Sequence, residues 1–146
     1  MVDPAPTEIE DRIRDRLLNR HRPVLRSIVT AAEAVETDWA GESTEDRAAA
    51  VAALERELEH DGVLHLIPGV MYDLASTASL SLAAQPVAAP PYVTVTGAGV
   101  VIRLPSATQR IVITVHLFRI DRNPTRYRHF DAKLRDRLRV EVRETP

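Results

Sequence analysis

Arginine is the residue whose chemistry stands out in this sequence, which has 18 arginines and a single lysine. A guanidinium group binds phosphate through charge and paired hydrogen bonds, and each neutralised phosphate adds a salt-dependent increment to nucleic-acid affinity. The sequence therefore predicts that a C-terminal arginine cluster binds the backbone of RNA or DNA, with Tyr127, His129 and Phe130 placed to stack on exposed bases. The predicted site comprises Arg122, Arg126, Tyr127, Arg128, Arg135, Arg137, Arg139 and Arg143, and a secondary basic patch comprises Arg12, Arg16, Arg20, Arg22 and Arg26.

Charge is divided unevenly along the chain. Residues 1–100 carry 8 arginines against 16 acidic residues, whereas residues 101–146 carry 10 arginines and one lysine against 5 acidic residues. The net charge of −2 therefore conceals an acidic N-terminal part and a basic C-terminal part. A GC-rich genome would also raise the arginine content, and the arginines can instead form solvated faces paired with nearby acids. Those acids are Asp11, Asp15, Asp131, Asp136 and Glu141.

A protein partner is the second functional hypothesis. The basic C-terminal strand or the first helix can dock on an acidic protein, or on the acidic 33–61 segment of a second copy in a homodimer. The third hypothesis is a small enzyme with its site in a crevice between helices and sheet. Because the sequence shows no convergent catalytic groups, we expect a non-enzymatic interaction domain.

Motifs for catalysis, metal binding and base readout are missing from the sequence. The hydroxyl residues between 76 and 81 occur without a G-x-S-x-G motif, and there is no P-loop. No two histidines are spaced i, i+4 and cysteine is absent, so no metal or cofactor is expected. His116 is expected to be a hydrogen-bonded residue at the edge of the core. A winged helix is disfavoured, because residues 69–84 carry no basic, asparagine or glutamine side chain with which to contact bases.

The length of 146 residues indicates one domain with a substantial core. We expect residues 1–7 to be disordered and 8–146 to form a single α+β domain, helical over 8–84 and a sheet over 92–143. The absence of cysteine favours a cytoplasmic location. Neither a signal peptide nor a membrane-spanning segment is apparent.

About three helices are predicted in the N-terminal part. The first runs from about 8 to 36 and should bend or break near residues 20–22, because Pro23 lacks an amide hydrogen and crowds the preceding turn. Ser43 or Thr44 is expected to cap the second, which ends near residue 60. The third begins near Pro68, runs to about residue 84 and is almost free of charge.

The C-terminal part predicts an antiparallel sheet of about four strands. Runs of β-branched residues flank a glycine-containing turn at 97–99, which is typical of a tight hairpin. A third strand is expected to continue to Ile120, and a last one alternates apolar and charged residues over 138–143. Residues 125–136 fit one or two helical turns. Leu74, Ile113 and Val115 are expected to join the third helix to the sheet in one core.

The stretch from Gly62 to Tyr127 contains PVAAPPYV, then a glycine hairpin, then an apolar strand that ends in DRNPTRY. In these features it resembles a family of small uncharacterised proteins from halophilic archaea. The resemblance implies a small cytoplasmic α+β domain and carries no motif with known chemistry.

Overall fold

The computed structural model describes residues 5–144, which form an α+β fold, as predicted. The α-helices in this range are α1 Pro6–Asn19, α2 Arg22–Thr37, α3 Arg47–His60, α4 Ile67–Thr77 and α5 Leu134–Arg137, with a 3₁₀ turn at Val63–Leu66. The strands are β1 Ser43–Thr44, β2 Val93–Val95, β3 Gly99–Leu104, β4 Gln109–His116, β5 Phe118–Asp121, β6 Arg126–His129 and β7 Leu138–Glu144. None of the helices in this part of the chain has the length and apolar character needed to cross a membrane.

Helices α1 and α2 replace the single interrupted helix of the sequence prediction. α1 ends at Asn19 and α2 begins at Arg22, so the break falls where it was expected. Pro23 is the second residue of α2, where an amide hydrogen would have no intrahelical partner and a proline is therefore tolerated. Because α1 begins at Pro6, the predicted disorder of segment 1–7 is wrong for Pro6 and Thr7, and residues 1–4 lie outside the described residues.

Asp46, rather than Ser43 or Thr44, caps helix α3. Its side chain accepts a hydrogen bond from the backbone amide three residues later at 3.0 Å. Ser43 and Thr44 form β1 instead, where they pair with Arg128 and Tyr127 of β6. The predicted cap is therefore wrong, because a strand far along the chain takes up these two residues.

Helix α4 ends at Thr77, earlier than the sequence predicts. Ser79 adopts the left-handed conformation with φ +57, and Leu80 donates a backbone hydrogen bond to the Ala75 carbonyl at 2.8 Å. This arrangement closes the C-terminal end of a helix by satisfying its last carbonyl groups. The residues from 81 to 92 then lead to β2.

A four-stranded antiparallel sheet has the order β2-β3-β4-β7. The predicted hairpin is confirmed, because Thr96 and Gly99 exchange backbone hydrogen bonds of 2.8 and 3.2 Å between β2 and β3. Gly99 has φ +152, and a Cβ at this position would overlap the carbonyl oxygen of Val115. Only glycine allows β3 to pass this close to β4.

A second antiparallel sheet, of order β1-β6-β5, corrects the expectation of a single sheet. The predicted third strand divides at Leu117, where the amides of Leu117 and Phe118 both donate to the Ala98 carbonyl, at 2.8 and 3.3 Å. Leu117 and Phe118 are consecutive and both buried, so the alternation of faces is interrupted where the chain passes between sheets. Region 125–136, where one or two helical turns were predicted, contains the start of the short helix α5, but its first part forms strand β6 instead.

One buried cluster joins the helices to the four-stranded sheet. Leu74 of α4 and Ile113 and Val115 of β4 all belong to it and are at most 1% exposed, as predicted. The other face of this sheet, called here the outer face, carries half-buried and exposed side chains. Its members on β3, β4 and β7 are Val101, Arg103, Arg110, Val112, Thr114, His116, Arg139, Glu141 and Arg143.

Candidate nucleic-acid interface

Arg137 is not the surface residue that the sequence predicts, because only 5% of it is exposed. Its guanidinium group donates hydrogen bonds to the backbone carbonyl oxygens of Phe130 at 2.6 Å, Ala132 at 3.2 Å and His116 at 3.2 Å. The same group lies 5.4 Å from the centre of the Phe130 ring. Its donors are therefore engaged inside the protein, and Arg137 is removed from the predicted nucleic-acid site.

Tyr127 is also wrongly placed by the sequence prediction. It is 6% exposed and belongs to the core, where its ring covers Gly97 so closely that a Cβ there would lie 2.7 Å from the Tyr127 Cε1 atom. His129 is exposed, but its Nδ1 atom lies 2.8 Å from a carboxylate oxygen of Glu36. Of the three rings expected to stack on bases, Phe130 alone has neither of these constraints, although Arg137 lies over it.

Four arginines of the two predicted patches lie within salt-bridge distance of carboxylates, but three of these carboxylates are not the acids expected from the sequence. Arg128 lies within salt-bridge distance of Asp121, but this contact lacks the geometry of a hydrogen bond. Of the acids proposed as neutralising neighbours, Glu141 takes part in one of these pairs. The pairs are Arg126 with Glu45 at 3.4 Å, Arg128 with Asp121 at 2.7 Å, Arg139 with Glu141 at 2.5 Å and Arg16 with Asp73 at 2.8 Å.

The other arginines of the two patches are exposed, and none has a carboxylate within salt-bridge distance among the side chains that the structure describes, which exclude that of Glu144. They are distributed over several surfaces rather than forming two patches. Arg122 lies in the turn between β5 and β6, and Arg12 and Arg20 lie on or beside α1. The full group is Arg12, Arg20, Arg22, Arg26, Arg122, Arg135 and Arg143.

Arg143 lies on the outer face beside two arginines that the sequence analysis did not single out. It is directly opposite Arg110 in the register of β4 and β7. Arg103 is opposite Val112 in the register of β3 and β4, which places Arg103 diagonally across from Arg110. Directly opposed residues have Cβ atoms about 4.5–5.5 Å apart, and diagonal neighbours are about 7–8 Å apart. We call Arg103, Arg110 and Arg143 the arginine triad.

The arginine triad surrounds a depression of about 300 Å³ whose other lining residues are Val112 and Glu141. Glu141 is already paired with Arg139. Among the residues whose side chains the structure describes, which do not include Glu144, no carboxylate lies within salt-bridge distance of the three triad guanidinium groups. Like charges directly opposite each other destabilise a sheet, so a bound anion would relieve the repulsion between Arg110 and Arg143.

A second basic surface lines a cleft of about 700 Å³ between α2 and the segment 129–137. It brings Arg22 and Arg26 of the secondary patch together with Arg135 of the C-terminal group and adds Lys133. Residues far apart in the sequence therefore meet at one surface. We call this surface the α2 cleft.

Three carboxylates also line the α2 cleft, on Asp15, Glu33 and Asp131. Burial lowers the pKa of Arg137, which lies at the base of this region, and the nearby carboxylates of Glu36, Glu33 and Asp131 oppose that effect by raising it. The α2 cleft therefore has mixed charge. A polyanion is better matched by the arginine triad, since Glu141, the one carboxylate that lines it among the described side chains, is already paired.

Asp73 links α4 to α1 and to the break that follows it. It accepts hydrogen bonds from Arg16 Nε at 2.8 Å and Arg16 Nη2 at 3.0 Å, and His21 Nε2 lies 2.5 Å from the same carboxylate. The hydrogen bonds from Arg16 lower the pKa of Asp73 well below its usual range; burial opposes this, and His21 adds to the lowering. Arg16 is therefore a structural residue rather than a free cation.

The histidines do not form a metal centre in the described range, where no group of three metal-ligating side chains occurs. His116 is half-buried on the outer face, in keeping with a position at the edge of the core. Burial lowers its pKa, and the positive charge of Arg139 lowers it further.

Arg103 and Arg110 were missed because neither belongs to a run of basic residues: Arg103 stands in an apolar stretch, and Arg110 follows the polar residues Thr108 and Gln109. The signal that could have found them is the strand alternation itself. Arg103 is flanked by the buried Ile102 and Leu104, and Arg110 precedes the buried Ile111. On adjacent strands, such lone charges lie on the same solvent face.

Comparison with protein families gives one result. A family model described as a domain of unknown function, DUF7988, matches residues 11–143, which take in all of the arginine triad and both sheets except the last residue of β7. Comparisons with curated proteins and with solved structures find no match.

Proposed function

The chain belongs to the DUF7988 family, a domain of unknown function, and we propose that it is a binding domain whose outer sheet face holds a nucleic-acid backbone. The observation that carries the proposal is the opposition of Arg110 and Arg143, with Arg103 diagonal to Arg110. Three guanidinium groups around one small depression suit a phosphate, which presents several anionic oxygens to paired N–H donors.

A polymeric phosphate fits this surface better than a small one. All three triad residues are exposed, and the depression lies on a sheet face rather than in a deep cavity. Ligand sites for small molecules bury most of the ligand, which an open face cannot do. A polyanion instead gains affinity from several backbone contacts along its length.

A role in binding rather than catalysis is part of the proposal. Two histidine–carboxylate pairs occur among the described residues, His21 with Asp73 and His129 with Glu36, and the Asp73 carboxylate also accepts two hydrogen bonds from Arg16. We also propose a cytoplasmic location, which the lack of cysteine and the resemblance to haloarchaeal proteins favour. RNA and DNA are both accessible there.

A protein partner is the second candidate, and the α2 cleft favours it. The cleft combines Arg22, Arg26, Lys133 and Arg135 with three carboxylates. Interspersed charges of both signs suit a polypeptide or a second copy of this chain, since complementary charges steer and orient protein partners. The same mixture opposes a polyanion at the α2 cleft.

A mobility-shift assay of the native protein with mixed-sequence RNA and with duplex DNA, at physiological ionic strength, tests the proposal. We expect dissociation constants below about 0.1 mM, the weak end of non-specific affinity. The variant Arg103→Glu/Arg110→Glu/Arg143→Glu should lose this binding. Arg122→Glu is the matched control, because Arg122 is equally an exposed arginine without a carboxylate partner in the described structure.

Three results would overturn the assignment. The first would be that the native protein binds neither nucleic acid, which would leave the protein partner as the leading candidate. The second would be that the triad variant, once circular dichroism has shown that it folds, binds as tightly as the native protein. The third would be that charge reversal of Arg22, Arg26 and Arg135 to glutamate abolishes binding while the triad variant retains it, which would move the site to the α2 cleft.

A further inference from the structure

A small pocket lies on the outer face at the end of β4, beyond the arginine triad. Side chains alternate along a strand, so His116 and Arg110, six positions apart on β4, lie on the same face about 20 Å from each other. The pocket has a volume of about 300 Å³, at the small end of ligand sites. Its lining residues are His116, Phe118, Arg119, Phe130 and Asp136.

The walls of this pocket are fixed by the buried guanidinium group of Arg137. It donates hydrogen bonds to the carbonyl oxygens of His116 and Phe130 and lies over the Phe130 ring. Phe118 is 3% exposed and packs on Trp39 with ring centres 5.4 Å apart. The pocket is therefore formed before a ligand arrives, which lowers the entropic cost of binding.

The lining combines flat apolar surface with groups that can contact the edge of a heterocycle. The half-buried Phe130 supplies the accessible aromatic surface, whereas the almost fully buried Phe118 forms part of the apolar wall. The lowered pKa of His116 keeps its imidazole uncharged at neutral pH, with one nitrogen as donor and the other as acceptor. Asp136 can accept hydrogen bonds from an exocyclic amine. Arg119 Nε lies 3.4 Å from Asp121, and the remaining N–H groups of Arg119 can donate to ring nitrogens or carbonyl oxygens.

We propose, on the basis of the proposed function, that this pocket holds one unpaired nucleobase while the arginine triad holds the backbone, so that the domain binds single strands in preference to duplex. Single-strand binding commonly joins a basic surface that follows the backbone to aromatic side chains that contact bases. In a duplex the bases are stacked and paired, and the pocket cannot reach one without unpairing it.

Fluorescence anisotropy with three labelled ligands of equal length tests this inference. The ligands are a mixed-sequence single strand, its duplex and a strand of abasic deoxyribose phosphates. We expect the single strand to bind at least tenfold more tightly than the other two, because it alone offers both phosphates and free bases.

Phe130→Leu is the main variant, since it removes the ring and keeps apolar volume. Loss of one stacking contact should lower single-strand affinity about 5- to 150-fold and leave the abasic strand unaffected. Tyr72→Leu is the matched control, because Tyr72 is a half-exposed aromatic residue on α4. His116→Gln, tested in parallel, covers the case in which Phe130→Leu fails to fold; it should also reduce the preference for the single strand.

The outcomes separate the two proposals. Equal affinity of the native protein for all three ligands overturns the base pocket and leaves backbone binding in place. An undiminished single-strand preference in both Phe130→Leu and His116→Gln also overturns the pocket. No binding of any ligand by the native protein overturns both proposals.

Discussion

Arg110 on β4 and Arg143 on β7 stand directly opposite each other on the outer face of the four-stranded sheet. Two exposed guanidinium groups in this register repel each other, and among the side chains that the structure describes, which exclude that of Glu144, neither has a carboxylate within salt-bridge distance. An acidic residue at one of these two positions would stabilise the sheet, because opposite charges attract each other across neighbouring strands. The pair is therefore a site where function and stability are expected to oppose each other.

Replacing Arg110 by glutamate should stabilise the fold while weakening nucleic-acid binding. The change turns a cross-strand repulsion into an attraction, which is worth about 0.2–1 kcal/mol. Urea unfolding of Arg110→Glu, with Arg122→Glu as the control, measures this difference. A free energy of unfolding that falls in Arg110→Glu would show that the native arginines do not repel each other.

Asp73 should make the protein sensitive to acid. Its pKa is lower in the folded than in the unfolded chain, so the unfolded state binds more protons and stability falls as the pH falls. The stabilisation is fully present above the unfolded pKa of about 3.9 and is lost below it, as the pH passes through the folded-state value. Urea melts from neutral pH to about pH 2 should show a smaller loss for Asp73→Asn than for the native protein.

Asp61→Asn is the control for this titration, since Asp61 is exposed and forms no ion pair among the described residues. At neutral pH, Asp73→Asn should be less stable than Asp61→Asn, because it alone loses the charge-assisted hydrogen bonds of Arg16. Identical acid profiles of the native protein and Asp73→Asn would contradict the role of this carboxylate.

Two glycine-to-alanine changes should have opposite effects. At Gly99, alanine would collide with the Val115 carbonyl and adopt a positive φ, which costs about 1–3 kcal/mol for the backbone conformation alone. At Gly69, an exposed position within α4, a Cβ meets nothing within 4 Å, and alanine should stabilise the helix by about 0.5–1 kcal/mol. Thermal unfolding of both variants tests the hairpin geometry; a neutral Gly99→Ala would contradict it.

Arg137 should not tolerate lysine. Lysine keeps the charge but cannot reproduce the planar fork that reaches the carbonyl groups of Phe130, Ala132 and His116. Because these part-buried carbonyl groups would lose the hydrogen bonds of Arg137, we expect a loss of about 2 kcal/mol in free energy of unfolding. The exposed Arg135→Lys should change it by less than about 0.5 kcal/mol. Equal effects of the two changes would show that the buried hydrogen bonds contribute little.

Features set by local backbone chemistry could be predicted from the sequence. The break between α1 and α2 follows from Pro23, and the hairpin follows from the glycines at 97 and 99. Both act within a few residues, through a missing amide hydrogen or a permitted φ. The core positions Leu74 and Ile113 follow from periodicity. An amphipathic helix buries a side chain every three or four residues, and a strand buries every second one.

Features set by distant parts of the chain could not be predicted in this way. Arg137 resembles its exposed neighbours Arg135 and Arg139 in type, and its burial depends on carbonyl groups that other segments supply. Tyr127 is buried because Gly97, 30 positions earlier, leaves room for its ring. Charge counts along the sequence therefore placed in the predicted site several arginines whose guanidinium groups already contact carbonyl or carboxylate groups within the protein.

The salt dependence of binding should identify the phosphate contacts one at a time. Each cation that neutralises a phosphate steepens the plot of log affinity against log salt, by about 0.9 on duplex DNA and 0.7 on a single strand. The variants Arg103→Gln, Arg110→Gln and Arg143→Gln should each reduce the slope by about that amount, whereas Arg122→Gln should leave it unchanged. Titrations at four or more salt concentrations measure the slopes. Lower affinity with an unchanged slope in the triad variants would mean that these arginines do not contact phosphate.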